Sequence, residues 1–260
     1  MEPRFILLVT TTFYKSTGEL RFELALETVK RAREEGHRVL IIDGSPDSKI
    51  RSAFHEYGAR VILQKEQGIG PIRRQLFDEA FSWHDGLIFW TEPEKSDLVR
   101  FIPDIVRPII EDRCDISIPV RSERSWQSYP KFQRESEATA NLVYKESTGI
   151  EADPMFGPVA INQRALPYFA SCRPGEFDVG DNYIQHVAPL VAVLEGNAKI
   201  LSPGVEVDFQ YPSAQREEED GPLFRQMVEK RLWQLRELTE TYLKFGRLLG
   251  NIHNHSTPVL

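Results

Sequence analysis

Short apolar runs alternate with longer amphipathic segments through the first 112 residues of the chain. Four runs have the length and the β-branched content of strands: Phe5–Thr11, Arg38–Ile42, Arg60–Leu63 and Gly86–Trp90. Four segments between and after them have apolar residues at helical spacing: 22–33, Ile50–Tyr57, Ile72–Trp83 and Ser96–Glu111. Strands separated by helices predict a mainly parallel sheet with helices on both of its faces.

Local signals mark where two of these helices begin or end. Ser16-Thr17-Gly18-Glu19 has the form of a capping box, which predicts the start of the first helix, and Gly36 is placed to end it. Pro71 suits the first position of the third helix.

The second half of the chain, from residue 113, is less regular. Its predicted strands are Asp115–Val120, Met155–Asn162, Ala198–Leu201 and Val205–Phe209. Its predicted helices are Lys131–Thr148, Gln163–Ala170, Asp181–Leu194 and a long amphipathic helix over Pro222–Leu249, with Ser122–Pro130 as a loop. One side of the long helix is apolar: Val228, Leu232, Leu235, Tyr242, Phe245 and Leu249. No repeat or linker interrupts the chain, which predicts a single domain over residues 1–260.

The loops that follow the predicted strands are the candidate functional segments. Ligands of open α/β sheets bind beyond the carboxyl ends of the strands. The segments expected there are Thr10–Tyr14, Asp43–Asp47, Gly68–Arg74 and Thr91–Glu94.

Glu92 and Glu94 flank Pro93 directly after the fourth predicted strand. Two carboxylates at this spacing can face one cation, and Mg²⁺ or Mn²⁺ binds such oxygens together with substrate phosphates. Acidic residues in a first helical turn also suit the helix dipole without any ligand. The residues alone leave both interpretations open.

The segment Gly68–Arg74 has the features of an anion site. Glycines such as Gly70, placed before a helix N-terminus, let backbone N–H groups approach a phosphate. Arg73 and Arg74 put cations where the helix dipole disfavours them, which a bound phosphate would offset. A turn followed by a surface arginine pair is the alternative interpretation.

Asp43 ends the second predicted strand. Its carboxylate could accept a hydrogen bond from a nucleotide base or a ribose hydroxyl. An ordinary Asp-Gly turn, formed with Gly44, is the alternative.

These segments, in this order, resemble the GT-A-fold glycosyltransferases and most closely those of family 2. The polar stretch Thr10-Thr11-Thr12 follows the first strand, and Ile42-Asp43-Gly44-Ser45-Pro46-Asp47 matches the pattern that ends the second. Gly68–Arg74 loosely matches the helix start after the third strand, and Glu92-Pro93-Glu94 occupies the place of the Asp-x-Asp metal motif. The resemblance covers residues 4–110 well and continues more weakly through 153–158.

The resemblance implies a hexosyltransferase with a UDP- or GDP-linked sugar donor, a Mg²⁺ or Mn²⁺ ion and a hydroxyl-bearing acceptor. Residues 1–112 would form the nucleotide-sugar-binding half of the domain, and residues 113–260 the acceptor-binding half with the C-terminal helix. The residues that would bind the donor are Thr10, Thr11, Asp43, Gly70, Arg73 and Arg74. Glu92 and Glu94 would hold the metal.

The resemblance also implies a catalytic base for an inverting enzyme. Gly180-Asp181 resembles the acidic position that opens the family's late helix. Asp181 is therefore the predicted base, with Asp178 and Glu176 as further candidates. A helix N-cap is the alternative interpretation of Asp181.

The chain departs from the family at the metal motif, where glutamate replaces both aspartates. Residues 205–212 hold Asp208 and Tyr211 and no histidine that could complete a metal site. A non-catalytic nucleotide-sugar-binding or scaffold protein therefore stays an alternative. A sugar-phosphate nucleotidyltransferase is less favoured, because the loop after the first strand has no glycine before Gly18.

Composition narrows the class of partner. The net charge is −7 and no block of five basic residues occurs, which argues against a nucleic-acid partner. The longest apolar runs have strand length, which predicts no transmembrane segment and a cytoplasmic protein. Cys114 and Cys172 form no C-x-x-C pair, so neither a zinc nor a redox site is expected. The C-terminal helix could form a homodimer face or cover the chain's own sheet.

Overall fold

The computed structural model describes residues 6–83 and 86–255. In this part of the chain, strands form two sheets: β1 (Leu7–Thr12), β2 (Arg38–Asp43), β3 (Arg60–Leu63), β4 (Ile88–Trp90), β5 (Ile116–Ser117), β6 (Val120–Arg121), β7 (Val159–Ile161) and β8 (Glu206–Val207). The larger sheet has the order β3-β2-β1-β4-β7-β5. Its strands β1 to β4 are parallel, and β7 is antiparallel to β4 and β5. The predicted mainly parallel sheet is confirmed. Strands β6 and β8 form a separate parallel pair.

Helices cover both faces of the larger sheet, as the alternation of strands and helices predicted. The α-helices are α1 (Leu20–Glu34), α2 (Ser48–Glu56), α3 (Ile69–Trp83), α4 (Ile102–Ile110), α5 (Glu123–Ser128), α6 (Lys131–Thr148), α7 (Leu166–Ala170), α8 (Ile184–Gly196), α9 (Ser213–Asp220) and α10 (Phe224–His255).

Two apolar cores lie on opposite sides of this sheet. Successive residues of a strand point to opposite faces, so Leu7 and Val9 join one core while Leu8 joins the other. The first core packs against α3, α6, α7, α8 and α10, and the second against α1, α2 and α4. Both faces of β1, β2 and β4 are therefore buried, which explains their continuous apolar runs, whereas the edge strand β3 stays partly exposed.

The strand bounds of the first half agree with the sequence pattern to within two residues, whereas several helices differ at their starts. Helix α3 begins at Ile69, so Pro71 is its third residue and not its first, as predicted. Helix α1 begins at Leu20, and Ser16 does not cap it; instead, the Glu19 carboxylate accepts a hydrogen bond from the Ser16 N–H at 3.0 Å. The segment predicted as one helix over Ser96–Glu111 begins with a 3₁₀ turn, Ser96–Phe101, before α4. Phe5, predicted to start the first strand, lies outside the described residues.

The second half departs further from the predicted pattern. The predicted strand Asp115–Val120 divides between β5 and β6, because residues 118–119 leave the large sheet to reach the small one. The predicted loop Ser122–Pro130 contains α5, which Ser122 caps through its side chain at 3.0 Å from Ser125 N. Of the predicted strand Ala198–Leu201, the structure keeps a single bridge between Ile200 and Ile116. The predicted helix Asp181–Leu194 starts as a 3₁₀ turn, Asp181–Tyr183.

The long C-terminal helix is confirmed, and it covers the chain's own sheet layer by packing along α6. Its buried apolar residues are Leu238, Tyr242, Phe245 and Leu249. Leu232, predicted for the same face, is 53% exposed, because the first turns of α10 extend past the core. Within residues 6–83 and 86–255, no helix is both long and apolar enough to cross a bilayer.

The antiparallel pairing of β4 and β7 brings distant parts of the chain together. Trp90, the last residue of β4, pairs with Val159, the first residue of β7. The loop that leaves β4 therefore meets the segment that enters β7, including the 3₁₀ turn Pro154–Phe156 and Gly157.

Candidate functional site

A cleft of about 890 Å³ opens at the carboxyl ends of the parallel strands. All four loops predicted from the sequence contribute to its wall. The lining residues are Thr10–Tyr14, Arg21, Gly44, Leu63–Ile69, Ile72, Arg73, Trp90 and Glu92–Glu94. A cleft of this size at the end of a parallel sheet can hold a ligand as large as a nucleotide.

Threonine hydroxyls fix the floor of the cleft. Thr10 Oγ1 donates a hydrogen bond to the Thr91 carbonyl at 2.8 Å, which ties the end of β1 to the loop after β4. Thr12 Oγ1 donates to Asp43 Oδ1 at 2.8 Å. Asp43 is fully buried and also pairs with Arg51 at 3.1 Å. Thr10 and Thr11 face the cleft, whereas the Asp43 carboxylate lies beneath it and Gly44 forms the surface.

Arg73, on the first turns of α3, lies in the cleft wall, and only some of its N–H groups have a hydrogen-bond partner among the described residues. One of its Nη atoms donates to the Asn182 carbonyl at 2.9 Å and also bonds the Gln185 side chain. Its Nε is buried and has no partner among the described residues. Burial lowers the pKa of Arg73 to about 10, with Glu92 opposing the shift. The guanidinium is therefore still charged at neutral pH, and its Nε is a buried donor at the cleft wall that no described residue satisfies.

Glu92 faces the cleft from the loop after β4, and Lys95 neutralises it. Lys95 Nζ lies 2.8 Å from Glu92 Oε2 and also donates to the Phe156 carbonyl. Burial acts to raise the pKa of Glu92, but Lys95, a backbone hydrogen bond and Arg73 together hold that pKa below its ordinary value. Glu92 is thus held between its own loop and the segment that enters β7.

Gly157 makes room for this arrangement. Its φ of 101° lies in the region that favours glycine, and a Cβ there would lie 2.3 Å from Glu92 Oε1. We expect Gly157→Ala to lower the free energy of unfolding by about 1–3 kcal/mol through backbone strain, and to displace Glu92 from Lys95. Urea denaturation measures the first effect.

The matched control for that substitution is Gly175→Ala, because a Cβ at Gly175 would meet nothing within 4 Å. The control is expected to keep wild-type stability. Equal stability of Gly157→Ala and Gly175→Ala would show that Gly157 is not required at this close approach.

Glu94, the other predicted metal ligand, is 6% exposed and already has two partners. Arg21 of α1 forms an ion pair with its Oε1 at 2.5 Å, and the Tyr14 hydroxyl donates to the same atom at 3.1 Å. Burial and the neighbouring Glu94 raise the pKa of Tyr14 well above its ordinary value, so this phenol is a donor at neutral pH.

These contacts do not form a ready site for a divalent ion. Each carboxylate is paired with a protein cation, and the described residues contain no cluster of three or more acidic, histidine or cysteine side chains. Two unit charges 4 Å apart interact by about 4 kcal/mol at an effective dielectric constant of 20. A divalent ion beside Arg21 or Lys95 would meet twice that repulsion, so it would have to displace them. The metal role of Glu92 and Glu94 stays a prediction that these contacts disfavour.

The remaining predicted residues meet behind the start of α3. Arg74 binds Asp181 through both Nη atoms, at 2.5 and 2.8 Å, and neither side chain lines the cleft. A Cβ on Gly70 would lie 2.1 Å from Asp181 Oδ2, so this glycine allows the close approach of the Asp181 segment. Asp178 is 90% exposed and pairs with Lys244 of α10. Glu176 is exposed.

A buried ion-pair network supports the segment that carries Gly157. Arg121 binds Asp153 through Nε at 2.6 Å and through Nη2 at 2.8 Å, and Glu137 through Nη1 at 2.6 Å. Asp153 Oδ1 in turn accepts from the Phe156 N–H at 3.0 Å. Burial opposes the charge on Arg121, but the two carboxylates raise its pKa above the ordinary arginine value. The network therefore fixes the turn that supplies the Phe156 carbonyl to Lys95.

Sequence reasoning missed the cations that pair with the two glutamates. Lys95 directly follows Glu94, and a basic residue beside an acidic pair was a usable signal. Arg21 gives no such signal, because one arginine on a predicted helix looks like an ordinary surface residue. The sequence marks Tyr14 only as the last residue of the candidate loop Thr10–Tyr14.

No family model matches the sequence, and no curated protein matches it significantly. Solved structures do match. Glucosyl-3-phosphoglycerate synthase of Mycobacterium tuberculosis is 15% identical, with 89% of this chain and 80% of that chain aligned at a TM-score of 0.54. Its complex with phosphoglyceric acid is 14% identical over the same shares, at a TM-score of 0.53. Its complex with Mn²⁺, UDP-glucose and glycerol 3-phosphate is 15% identical, again over 89% and 80%, at 0.51. The chain thus has the GT-A-like fold that the sequence resemblance implied, the fold of a structurally characterised glucosyl-3-phosphoglycerate synthase.

Proposed function

We propose that the protein is a glycosyltransferase that moves a sugar from a UDP- or GDP-linked donor to a hydroxyl of an acceptor. The observation that carries the proposal is the cleft of about 890 Å³ at the carboxyl ends of β1 to β4, whose wall includes the charged residue Arg73. A structural neighbour with the same fold holds UDP-glucose. The cytoplasmic location and the homodimer remain predictions.

The two halves of the chain would bind different substrates. Residues 1–112 supply every residue that lines the cleft, which supports their proposed role in binding the nucleotide sugar. Residues 113–260 would bind the acceptor. They contact two residues that line the cleft: Gly157 approaches Glu92, and Asn182 and Gln185 accept hydrogen bonds from Arg73.

The leaving group of such a transfer is a nucleoside diphosphate, whose negative charge grows as the bond to the sugar breaks. Arg73 would stabilise that charge, because its guanidinium lines the cleft and carries a positive charge. The N-terminus of α3 lies beside it and adds backbone N–H groups of the same polarity.

Asp181 is the proposed base for an inverting transfer. Each of its oxygens accepts from Arg74, and carboxylate oxygens have further lone pairs with which to accept a proton. Asp181 also contacts Gly70 at the start of α3, whereas Asp178 is turned to Lys244. Among the candidates, Asp181 is therefore the one beside the cleft wall.

The test measures how tightly wild type and Arg73→Ala bind nucleotides. Thermal shift and calorimetry are used, with UDP, GDP and their sugar conjugates as ligands. A ligand at one hundred times its Kd adds about 2.7 kcal/mol to stability, so the wild-type melting temperature should rise by several degrees. Arg73→Ala should bind about ten- to a hundredfold more weakly, because it loses a hydrogen bond to a charged group.

Arg113→Ala is the control, since Arg113 is an exposed arginine that pairs with Glu111 and does not line the cleft. It should bind like wild type. If no nucleotide shifts the melting temperature, the proposed function fails. Binding without sugar transfer to any acceptor would favour the non-catalytic alternative.

A further inference from the structure

Glu92 and Glu94 are not free to bind a metal ion, because each forms an ion pair with a cation of the same chain: Glu92 with Lys95 and Glu94 with Arg21. We propose that the cleft binds the diphosphate of its donor without a divalent metal ion, and that Arg21, Arg73 and Lys95 provide the positive charge. This inference rests on the proposed function and specifies how that site binds its donor.

Arg21 shows the pairing most clearly. Its guanidinium contacts Glu94 Oε1 at 2.5 Å from one side, while Tyr14 donates to the same oxygen. Glu94 is buried and Arg21 occupies its Oε1, so a metal ion could reach this oxygen only by displacing the Arg21 guanidinium. The Arg21 side chain itself is 55% exposed and lines the cleft, and a guanidinium has five N–H donors. It can therefore hold Glu94 and still offer donors to a phosphate.

Lys95 has the corresponding position at Glu92. Its ammonium is bonded to Glu92 and to the Phe156 carbonyl, and it lies 4.6 Å from the centre of the Phe156 ring. The side chain is only 12% exposed, so this arrangement is built into the fold and is not a surface contact. The Arg121 network fixes the Phe156 carbonyl, because Asp153 binds Arg121 and also accepts a hydrogen bond from the Phe156 N–H.

The charge balance then favours an anion over a cation. Around the two glutamates, three cations face two carboxylates: Arg21, Arg73 and Lys95 against Glu92 and Glu94. Lys65 also lines the cleft but pairs with Glu79. Two unpaired aspartates in this place would require a divalent ion before a diphosphate could approach. Here the protein itself supplies that positive charge, and the exposed Arg21 and the cleft-lining Arg73 would face the phosphate.

The test compares UDP and GDP binding in EDTA with binding in Mn²⁺, by calorimetry, for wild type and Lys95→Met. Wild type should bind equally well in both conditions. Lys95→Met should bind about tenfold more weakly in EDTA, because Glu92 then repels the phosphate, and Mn²⁺ should restore part of the loss. A residue with a structural role alone would not acquire a dependence on Mn²⁺.

Lys145→Met is the matched control, because Lys145 forms an ion pair with Glu151 away from the cleft. It should follow wild type in both conditions. Arg21→Met repeats the test at the exposed cation, should melting curves show that Lys95→Met does not fold.

The outcomes separate the two proposals. Wild-type binding that requires Mn²⁺ would overturn the metal-free inference and leave the proposed function in place. The absence of binding in both conditions would overturn the proposed function and the inference with it. Equal binding by wild type, together with a Mn²⁺-dependent gain in Lys95→Met, would support both.

Discussion

Replacing Arg121 with methionine should lower the free energy of unfolding by about 3–5 kcal/mol, the cost of leaving a buried charge without its partner. The guanidinium is completely buried and is the partner of both Asp153 and Glu137. Methionine fills much of the volume but leaves Asp153 with only hydrogen-bond donors such as Asn141. Urea or guanidinium denaturation at neutral pH measures the difference.

The control for Arg121→Met is Arg164→Met. Arg164 also binds two carboxylates, those of Asp112 and Asp115, but its side chain is 68% exposed. Exposed pairs contribute about 0–1 kcal/mol, so this variant should be nearly as stable as wild type. Similar losses in the two variants would contradict the view that burial makes the Arg121 network structurally essential.

A drop from pH 7 to pH 5 should cost the protein about 2 kcal/mol of stability through His186 alone, because this imidazole must stay neutral in the folded state. Burial lowers the pKa of His186 to about 3, and the nearby cations Arg73 and Lys95 act in the same direction. Its Nδ1 is 2.8 Å from the hydroxyl of Tyr242, and Tyr183 packs against its ring.

The sign of this effect follows from the lowered pKa. An unfolded histidine takes up a proton near pH 6.5, whereas the folded one does so only near pH 3. The contribution of His186 is therefore complete above pH 6.5 and is lost progressively as the pH falls towards 3. Denaturation of wild type and His186→Gln at both pH values isolates this contribution, since all carboxylates are common to the two proteins.

His55→Gln serves as the control for the loss of an imidazole, because His55 is an exposed residue of α2. We expect its pH dependence to follow wild type. A wild-type pH dependence that persists in His186→Gln would show that another group is responsible.

The sequence predicted the first half of the fold well because its signals are local. β3 has the predicted bounds, and the other strands of the first half differ by one or two residues. In the second half, tertiary contacts override the local pattern. Residues 115–120 are predicted as one strand, but they divide between β5, which pairs with β7, and β6, which pairs with β8. A short apolar run does not indicate how many sheets it will join.

The candidate site shows the same limit. Sequence position placed Thr10, Thr11, Arg73 and Glu92 in one cleft, because parallel strands end at one edge. It could not reveal that Arg74 is bound to Asp181, since those residues are 107 positions apart. Charge pairs between distant segments depend on side-chain directions, which spacing along the chain does not encode. The roles of these residues in binding and transfer stay proposals.

The place of β7 in the sheet has a consequence for the order in which the chain can fold during synthesis. β7 is the strand that covers the outer side of β4, and it lies about 70 residues further along the chain. Until the ribosome has delivered residue 161, Ile88, Phe89 and Trp90 form an uncovered apolar edge, the kind that recruits strands from other molecules. A nascent chain that ends at residue 112 would contain the residues that line the cleft and still lack β5 and β7, which complete the sheet beyond β4. The donor-binding half is therefore expected to depend on the later half for protection from aggregation.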